Sequence, residues 1–265
     1  MTLGFVHACE QNHLNLSTVG GGRVTQLTSG KVVTSPVDPF WLYNYAFGIR
    51  RTMDADELAA PFRAAGRNFA HVMASPSSRP GLAEDLERLG FRLDWEDSVW
   101  RAGGTGAGAP GLLELGAGDL DAYLAVLRSA WGGGQAPSGR AVALRLADGR
   151  TRAYRTGDGS GVFALFAAGP TTQLIHLAVA AGAQRQGVGR RMLELAPGLV
   201  PEGRPLWLSS DRSGPGVRAA AAAGWTAAHT SAHWLADLDD GATDRHGPAG
   251  PLRTKGMRPS AAPTT

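Results

Sequence analysis

The residues best suited to chemistry form the segment QRQGVGRR, Gln184 to Arg191, where an apolar run meets an amphipathic one. Gly187 and Gly189 stand two residues apart within it. The first amides of a helix have no backbone partner, and together with the helix dipole they attract an anion. Glycines remove side chains that would keep a diphosphate away from that backbone. The segment predicts a main-chain site for a phosphate-bearing ligand, with Arg185 and Arg190 adding positive charge. The alternative is a plain glycine-rich turn with solvated arginines.

The flanking residues predict elements that would position this loop. TQLIHLAVA favours a strand before it, and GVGRRMLELA favours a helix after it that ends at Pro197. PLWLSS then predicts a strand, VRAAAAAG a helix ended by Gly224, and WTAAHTSAHWLA a last strand or hairpin. In the first half, RVTQLTSGKVVTSP predicts a strand pair and FWLYNYAFGIR one further strand. Both halves end in helix, glycine, aromatic residue and strand, which indicates an internal duplication.

The segment HLAVAAGAQRQGVGRRML resembles the coenzyme A-binding motif of the GNAT acyltransferase superfamily, in which Q/R-x-x-G-x-G/A follows a strand ending in Ala-Val. Downstream, PLWLSSDRSGPGVRAAAAAGW resembles that superfamily's next motif: strand, polar turn, helix, then glycine and an aromatic residue. The good match covers about residues 111 to 238. The first half matches only at AEDLERLGFRLDWE and lacks the phosphate loop. The arrangement resembles tandem GNAT proteins in which one half has lost the cofactor site.

The resemblance implies an α+β fold with a mixed central sheet, flanking helices and two tandem GNAT-like units. Residues 1–105 would be a degenerate unit and residues 106–238 the acyl-CoA-binding unit. The glycine-rich stretch GGTGAGAPG, residues 103 to 111, is expected to be the linker between them. Residues 239–265 are rich in Gly, Pro, Ser and Thr and are expected to be a disordered tail.

The resemblance also implies acetyl-CoA, or another acyl-CoA, as co-substrate in a V between two splayed strands, 173–180 and 205–210. The amide of Val179 would donate to the thioester carbonyl and stabilise the transition state. Position 213, a frequent Asn in the superfamily, is Ser here. The predicted cofactor-binding residues are Leu177, Ala178, Val179, Gln184, Arg185, Gln186, Gly187, Val188, Gly189, Arg190 and Ser213.

The sequence departs from the superfamily pattern at its general acid. The Tyr expected four residues before the glycine–aromatic pair is Ala220, and the usual Pro after the strand is Ala181. A general acid contributes about 10²–10⁴-fold in rate. Three readings stay open: water or another residue protonates the thiolate, the fold uses a different donor or chemistry, or the protein binds an acyl-CoA without turnover.

His176 is the candidate base because it lies on the strand beside the expected thioester site. Strand alternation turns it away from the face of Leu177 and Val179, so a structural histidine packed under a helix is the alternative. His229 and His233 are interpreted as structural or exposed. Ser209 and Ser210 end the second splayed strand and are candidates to contact pantetheine or substrate, with ordinary capping and turn chemistry as the alternative. His71, Asn44 and Tyr43 from the first half are candidates to reach a substrate cleft between the halves.

Composition excludes several classes of protein. Cys9 is the only cysteine, so neither an intrachain disulfide nor a cysteine-built zinc site can form. The net charge of +3 is too small to predict a nucleic-acid partner. No apolar run is long enough for a membrane helix, and the N-terminal residues do not have the pattern of a secretory signal. We expect a cytoplasmic protein without a metal.

These features favour an N-acetyltransferase that transfers an acyl group directly to an amine of a small molecule. A catalytically silent acyl-CoA sensor and a GNAT-fold enzyme that uses aminoacyl-tRNA are the alternatives. The acceptor cannot be read from the chain, and the oligomeric state is not predicted. The absence of an acidic run gives no reason to expect a strongly cationic peptide as acceptor.

Overall fold

The first half of the chain forms the predicted strand pair and part of the predicted further strand, and a helix precedes them. The computed structural model describes residues 2–38, 41–103, 108–131 and 138–238. The elements are α1 Leu3–Ser17, β1 Arg23–Gln26, β2 Lys31–Thr34, β3 Tyr45–Phe47, α2 Ala55–Ala64, β4 Phe69–Ala74, α3 Leu82–Arg88 and β5 Arg92–Arg101. The prediction of one strand over FWLYNYAFGIR is wrong in its first part, because Trp41–Tyr43 form a 3-10 turn.

The second half confirms the predicted strands and helices around the phosphate-loop candidate. Its elements are β6 Leu112–Glu114, α4 Leu120–Trp131, α5 Gly139–Ala147, β7 Thr151–Thr156, β8 Gly161–Ala168, β9 Thr171–Val179, α6 Val188–Leu195, β10 Leu206–Asp211, α7 Pro215–Ala222 and β11 Thr226–Asp237. Residues 104–107 of the predicted linker and the predicted tail 239–265 lie outside the described residues.

The strands of the described chain form one mixed, eleven-stranded sheet in the order β1-β2-β3-β4-β11-β5-β10-β9-β8-β7-β6. Two neighbouring pairs are parallel, β3 with β4 and β9 with β10. The remaining pairs are antiparallel. This is the α+β architecture with a mixed sheet and flanking helices that the sequence predicts.

The last strand of each half lies among strands of the other half. β11 lies between β4 and β5, and β5 lies between β11 and β10. Apart from the additional edge strand β6, the strand order is therefore symmetric about the β11–β5 pair, which is the pattern expected of an internal duplication with exchanged last strands. The helix ends that precede the two exchanged strands also match. Phe91 N donates to Leu86 O at 2.9 Å and Trp225 N donates to Ala220 O at 3.0 Å.

Helices cover both faces of the second-half strands. On β8, Ala164 and Phe166 belong to the apolar cluster that includes α4, whereas Phe163 and Leu165 belong to the cluster of α6 and α7. β9 also contributes to both clusters, with Ile175 and Ala178 in the first and Leu174 in the second, so packing on both faces positions the loop at its carboxyl end. None of the helices in the described ranges is long and apolar enough to cross a bilayer.

Helix α1 connects the two halves. It packs against β8, β9 and β2. Its Asn12 is fully buried and donates through Nδ2 to Ala168 O at 3.0 Å and Thr171 O at 2.9 Å, at the β8–β9 turn. Because a buried amide of this kind is held by main-chain acceptors, the helix has a fixed position over the sheet.

Candidate active site

Strands β9 and β10 diverge to form an open V. They pair in parallel only at Leu206 with Thr172 and at Trp207 with Gln173. Beyond that point β10 pairs on its other side with β5, as far as Asp211 opposite Asp97. The edges of β9 and β10 that face each other beyond this apex therefore offer main-chain donors and acceptors to a ligand.

A bulge distorts β9 inside the V. Ile175 pairs with Ala164 of β8, but Ala178 pairs with Val162, so two residues of β9 face one residue of β8. His176 at this point has a φ of 57°, in the left-handed region. Bulges re-aim main-chain groups and are common beside active sites.

The amide of Val179 points into the V. Ala180 N donates to Ser160 O at 2.8 Å, in the direction of β8. Successive amides of a strand point to opposite edges, so the Val179 N–H is directed toward the β10 side. The Val179 carbonyl on that side accepts from Gln184 Nε2 at 3.1 Å. The Val179 N–H is thus available at the edge of β9 that faces the V, and the binding of a pantetheine arm along Leu177 and Val179 stays a prediction.

The loop between β9 and α6 exposes a series of amides. Among the described residues, no backbone carbonyl accepts from the amides of residues 185 to 190, and the first bond of α6 is from Arg191 N to Gly187 O at 2.9 Å. Gly187 caps the helix in the left-handed region, at a φ of 82°. An added Cβ would meet nothing within 4 Å at Gly187, and only Val179 Cγ2 at 3.6 Å at Gly189. The space above both glycines is open to a ligand.

The remaining predicted cofactor residues surround this loop. Gln186 Nε2 donates to Gly182 O at 2.9 Å, which braces the loop from within. Arg185 is exposed and has a φ of 66°, whereas Arg190 forms an ion pair with Glu194 at 2.7 Å. Val188 packs into the core cluster of α6, and Ala178 is buried under α4. These two residues position the main chain.

Ser213 and Ala220 lie in and after the turn that follows β10. The Ser213 hydroxyl donates to Asp211 Oδ1 at 2.7 Å, so it orders the turn ahead of α7. Ala220 has no exposed surface and belongs to the core between α7, α6 and β10. Its small side chain lets α7 pack closely.

In the first half, α2 follows β3 as α6 follows β9, but the start of α2 differs from that of α6. The helix α2 after β3 begins at the Asp54 cap, whose Oδ1 accepts from Glu57 N at 2.6 Å. Asp56 and Glu57 occupy its first turn. A carboxylate of the chain itself already satisfies this helix start, and the acidic first turn repels a diphosphate.

A cavity of about 1230 Å³ joins the V to the junction between the halves. Its lining includes Leu177, Ser209 and Ser210 from the V, and Cys9, Glu10, His13, Tyr43, Asp94, Trp95, Asp97 and His233 from the junction. Glu10, Asp94 and Asp97 come from two segments far apart in sequence. The three carboxylates therefore line one cavity without forming an acidic run, so they could not be predicted from the sequence.

A buried polar chain crosses the junction. His71 Nδ1 lies 3.2 Å from Asn44 O, and His71 Nε2 lies 3.0 Å from His233 Nδ1. His233 Nε2 lies 3.5 Å from Asp97 Oδ2, which also accepts from Ser209 Oγ at 2.9 Å. His233 is 3% exposed, which agrees with the structural interpretation and not with the exposed one. The arrangement itself could not be predicted from the sequence, because its members lie on four different strands.

His176 occupies a different environment. It is 8% exposed, and its Nδ1 lies 3.3 Å from the Tyr123 hydroxyl of α4. Burial, with a smaller contribution from the charge of Arg145, lowers the pKa of His176 to about 3. This placement favours the structural alternative over a role as base.

The tryptophans and the cysteine are also packed. Trp207 Nε1 donates to Thr171 Oγ1 at 3.3 Å, and Trp225 Nε1 donates to Leu193 O at 3.1 Å. Cys9 lines the cavity, but burial, aided by Glu10, raises the pKa of its thiol to about 12. Within the described ranges, no group of His, Cys, Asp and Glu side chains could hold a metal ion.

Comparison with known proteins shows the fold. No family model and no curated protein sequence matches the chain. A GCN5-related N-acetyltransferase from Kribbella flavida superposes with a TM-score of 0.60 at 16% identity, over 89% of this chain and 95% of that one. A putative GNAT-family acetyltransferase from Novosphingobium aromaticivorans gives 0.53 at 13% identity, over 85% and 94%.

A tandem GNAT protein from the clavulanic acid biosynthesis pathway is also similar, with a TM-score of 0.52 at 16% identity over 82% of this chain and 80% of that one. At such identities the likeness establishes the architecture alone. The chain has the fold of GNAT N-acetyltransferases.

Proposed function

We propose that this chain with the GNAT fold is an acyl-CoA-dependent N-acyltransferase, with acetyl-CoA as the expected donor and a small-molecule amine as acceptor. The observation that carries the proposal is the open amides of residues 185 to 190 at the mouth of the β9–β10 V. Backbone donors at a helix start suit a diphosphate. The edge at Leu177 and Val179 suits the amide groups of a pantetheine arm.

In this arrangement the protein acts mainly by binding and positioning. The amide of Val179 is placed to donate to the thioester carbonyl, where negative charge grows as the amine attacks. Transfer is direct, since the Cys9 thiol stays protonated at neutral pH and gives no thiolate for an acyl-enzyme. The thiolate of coenzyme A leaves with a proton from water, because Ala220 supplies no phenol.

We propose that the first half, residues 1–105, is a degenerate unit that serves the acceptor side, and that residues 106–238 bind the acyl-CoA. The Asp54 cap supports this division, because it fills the helix start that would hold a second diphosphate. The cavity shared by the two halves gives the first half access to the acceptor.

The test combines calorimetry with a thiol-release assay on acetyl-CoA. We expect binding at one site per chain and thiol release in the presence of suitable primary amines. Absence of acetyl-CoA binding would contradict the proposal outright.

A second candidate, an acyl-CoA-binding protein without turnover, is favoured by Ala220. Binding of acetyl-CoA without thiol release across donors and amines would select it. A donor such as aminoacyl-tRNA would instead give binding that weakens steeply with salt.

A further inference from the structure

A bulge in β5 turns one carboxylate of the junction toward the cavity. In the pairing of β5 with β11, Trp95 lies opposite His233. The next pair is Leu93 with Trp234, so Asp94 has no partner residue on β11. Bulges re-aim side chains and are common beside active sites. Asp94 lines the cavity, and its carboxylate neither accepts a hydrogen bond nor forms a salt bridge among the described residues.

A positive charge would stabilise this carboxylate. Asp94 is half-buried, and burial raises its pKa more than the charges of Arg92 and His233 lower it. A cation beside a partly desolvated carboxylate favours its charged form. Arg92 is the only lysine or arginine among the lining residues that the structure describes, and it forms an ion pair with Asp237 at 3.1 Å. The described lining therefore commits no basic side chain to Asp94.

A second polar group, the side chain of Gln173, lines the cavity with one atom unpartnered. Gln173 pairs with Trp207 at the apex of the V and is 4% exposed. Burial lowers the pKa of His13 to about 4, and a hydrogen bond to the main chain of Leu42 uses the one N–H of the neutral ring. His13 Nδ1 therefore accepts from Gln173 Nε2, at 3.3 Å. Gln173 Oε1 has no hydrogen-bond partner among the described residues, although buried amide oxygens normally accept from a donor.

Asp97 lies in the same region as these two groups. Burial by itself raises the pKa of Asp97, but interactions with His233 and Ser209 outweigh burial and lower it. The charge of Asp97 acts on His13, and the charges of both Asp94 and Asp97 interact with His233. The two carboxylates and the partner of Gln173 are therefore within electrostatic reach of one another. A ligand in this part of the cavity meets negative charge together with an unused acceptor.

We infer that the acceptor is an amine with a second, positively charged group, which Asp94, Asp97 and Gln173 bind at the junction; this inference rests on the proposed function. The carboxylates attract an ammonium or guanidinium group, and Gln173 Oε1 accepts from one of its N–H groups. The cavity lining continues from Gln173 along β9 to Leu177, and from Asp97 to Ser209 of β10. A molecule held at the junction thus extends into the V, where its other amine meets the acyl group.

Three probes with the same five-carbon chain and one primary amine test this selection by charge: 1,5-diaminopentane, pentylamine and 5-aminopentanoate. At neutral pH they differ only at the far end, which is positive, apolar or negative. Each probe is titrated calorimetrically into the protein saturated with coenzyme A. We expect 1,5-diaminopentane to bind about tenfold more tightly than pentylamine, and 5-aminopentanoate to bind most weakly.

Two variants of Asp94 assign the preference to the junction. Asp94→Asn keeps the size of the side chain and should weaken binding of 1,5-diaminopentane about tenfold, with the affinity for pentylamine unchanged. Asp94→Lys should reverse the preference in favour of 5-aminopentanoate, which a merely structural role of Asp94 would not produce. Glu96→Gln is the matched control, because it removes a carboxylate from the same strand outside the cavity lining, where Glu96 pairs with Arg212 at 2.6 Å. Its three affinities should equal those of the wild type.

The inference would be overturned by equal wild-type affinities for 1,5-diaminopentane and pentylamine, or by no binding of the diamine. A preference for the diamine that survives in Asp94→Asn and Asp94→Lys would overturn it as well. Titration with acetyl-CoA separates these results from the proposed function. A wild type that binds acetyl-CoA without any preference among the amines refutes the second cationic group alone, whereas a wild type that does not bind acetyl-CoA refutes the function.

Discussion

At the scale of single residues, Gly187 and Gly189 shape the proposed cofactor loop for different reasons. Gly187 holds a left-handed conformation that other residues adopt at a cost, whereas Gly189 leaves space above the loop. A Cβ at either position would meet no close protein atom. Gly187 therefore contributes the main-chain conformation of the loop, and Gly189 contributes the room for a ligand.

We predict that Gly189→Val lowers acetyl-CoA affinity at least tenfold with little change in stability, because the valine side chain would fill the space of the diphosphate. We predict that Gly187→Ala strains the left-handed backbone of the loop and also lowers acetyl-CoA affinity. Gly203→Ala is the matched control for the strain, since Gly203 has a φ of 77° and nothing within 4 Å of an added Cβ. Calorimetry should show lost affinity for Gly187→Ala only, and equal affinities would contradict this role.

The burial of His176 makes the free energy of unfolding depend on pH. Its folded pKa of about 3 lies below the ordinary 6.5, so the unfolded chain binds the proton more readily. Stability is therefore complete above pH 6.5 and falls as the pH drops toward the folded value, by about 2 kcal/mol from this residue at pH 5. Urea unfolding at pH 7.5 and pH 5 measures this loss.

His176→Asn is the variant that isolates this contribution, because Asn tolerates the left-handed backbone and does not titrate in this range. The loss between pH 7.5 and pH 5 should shrink by about 2 kcal/mol, with His13 and His229 accounting for a remainder. An unchanged loss would mean that His176 is not held neutral by burial.

Candidate functional residues could be predicted where they lie close together in the sequence. The spacing of Gly187 and Gly189 after an apolar strand was enough to locate the loop. The junction network was not predictable in this way, because His71, Asp97, Ser209 and His233 lie on four strands and meet only through the strand exchange. The scattered positions of Glu10, Asp94 and Asp97 hid the acidic lining for the same reason.

At the scale of elements, α7 depends on a small residue at its buried face. Ala220→Tyr would force a large ring into the core between α7 and α6 and is expected to destabilise the fold by roughly 1–3 kcal/mol. Ala221→Tyr, on the exposed face of the same helix, should be close to neutral. Denaturant unfolding of both variants checks this, and equal stabilities would contradict the packing described.

Most strands and capped helices followed from local patterns, but two helices did not. α1 buries Glu10, Asn12 and Ser17, so its inner face has no apolar stripe to reveal it. α5 begins at Ser138, whose hydroxyl accepts from Ala141 N at 3.1 Å, directly after residues 132–137, which lie outside the described ranges. Tertiary contacts rather than periodicity define both helices.

At the scale of the whole molecule, the exchanged strands make the halves interdependent. β5 lies between β10 and β11, both from the second half, and α1 packs onto β8 and β9. We predict that residues 1–103 and residues 108–238 do not fold when produced separately. Co-expressed, they should form a stable complex, visible by size-exclusion chromatography and circular dichroism. Cooperative unfolding of the second fragment alone would contradict this dependence.

A duplication could be proposed from the repeated helix, glycine and aromatic residue, and Gly90 and Gly224 end their helices in the same way. The exchange of last strands could not, because both arrangements bury the same residues within one sheet. Only the pairing partners differ.

The most direct test of the cofactor site is a crystal structure of the protein with coenzyme A. We expect the diphosphate within hydrogen-bonding distance of the amides of residues 185 to 190, with the pantetheine arm between β9 and β10. Coenzyme A bound elsewhere, with that loop empty, would contradict it.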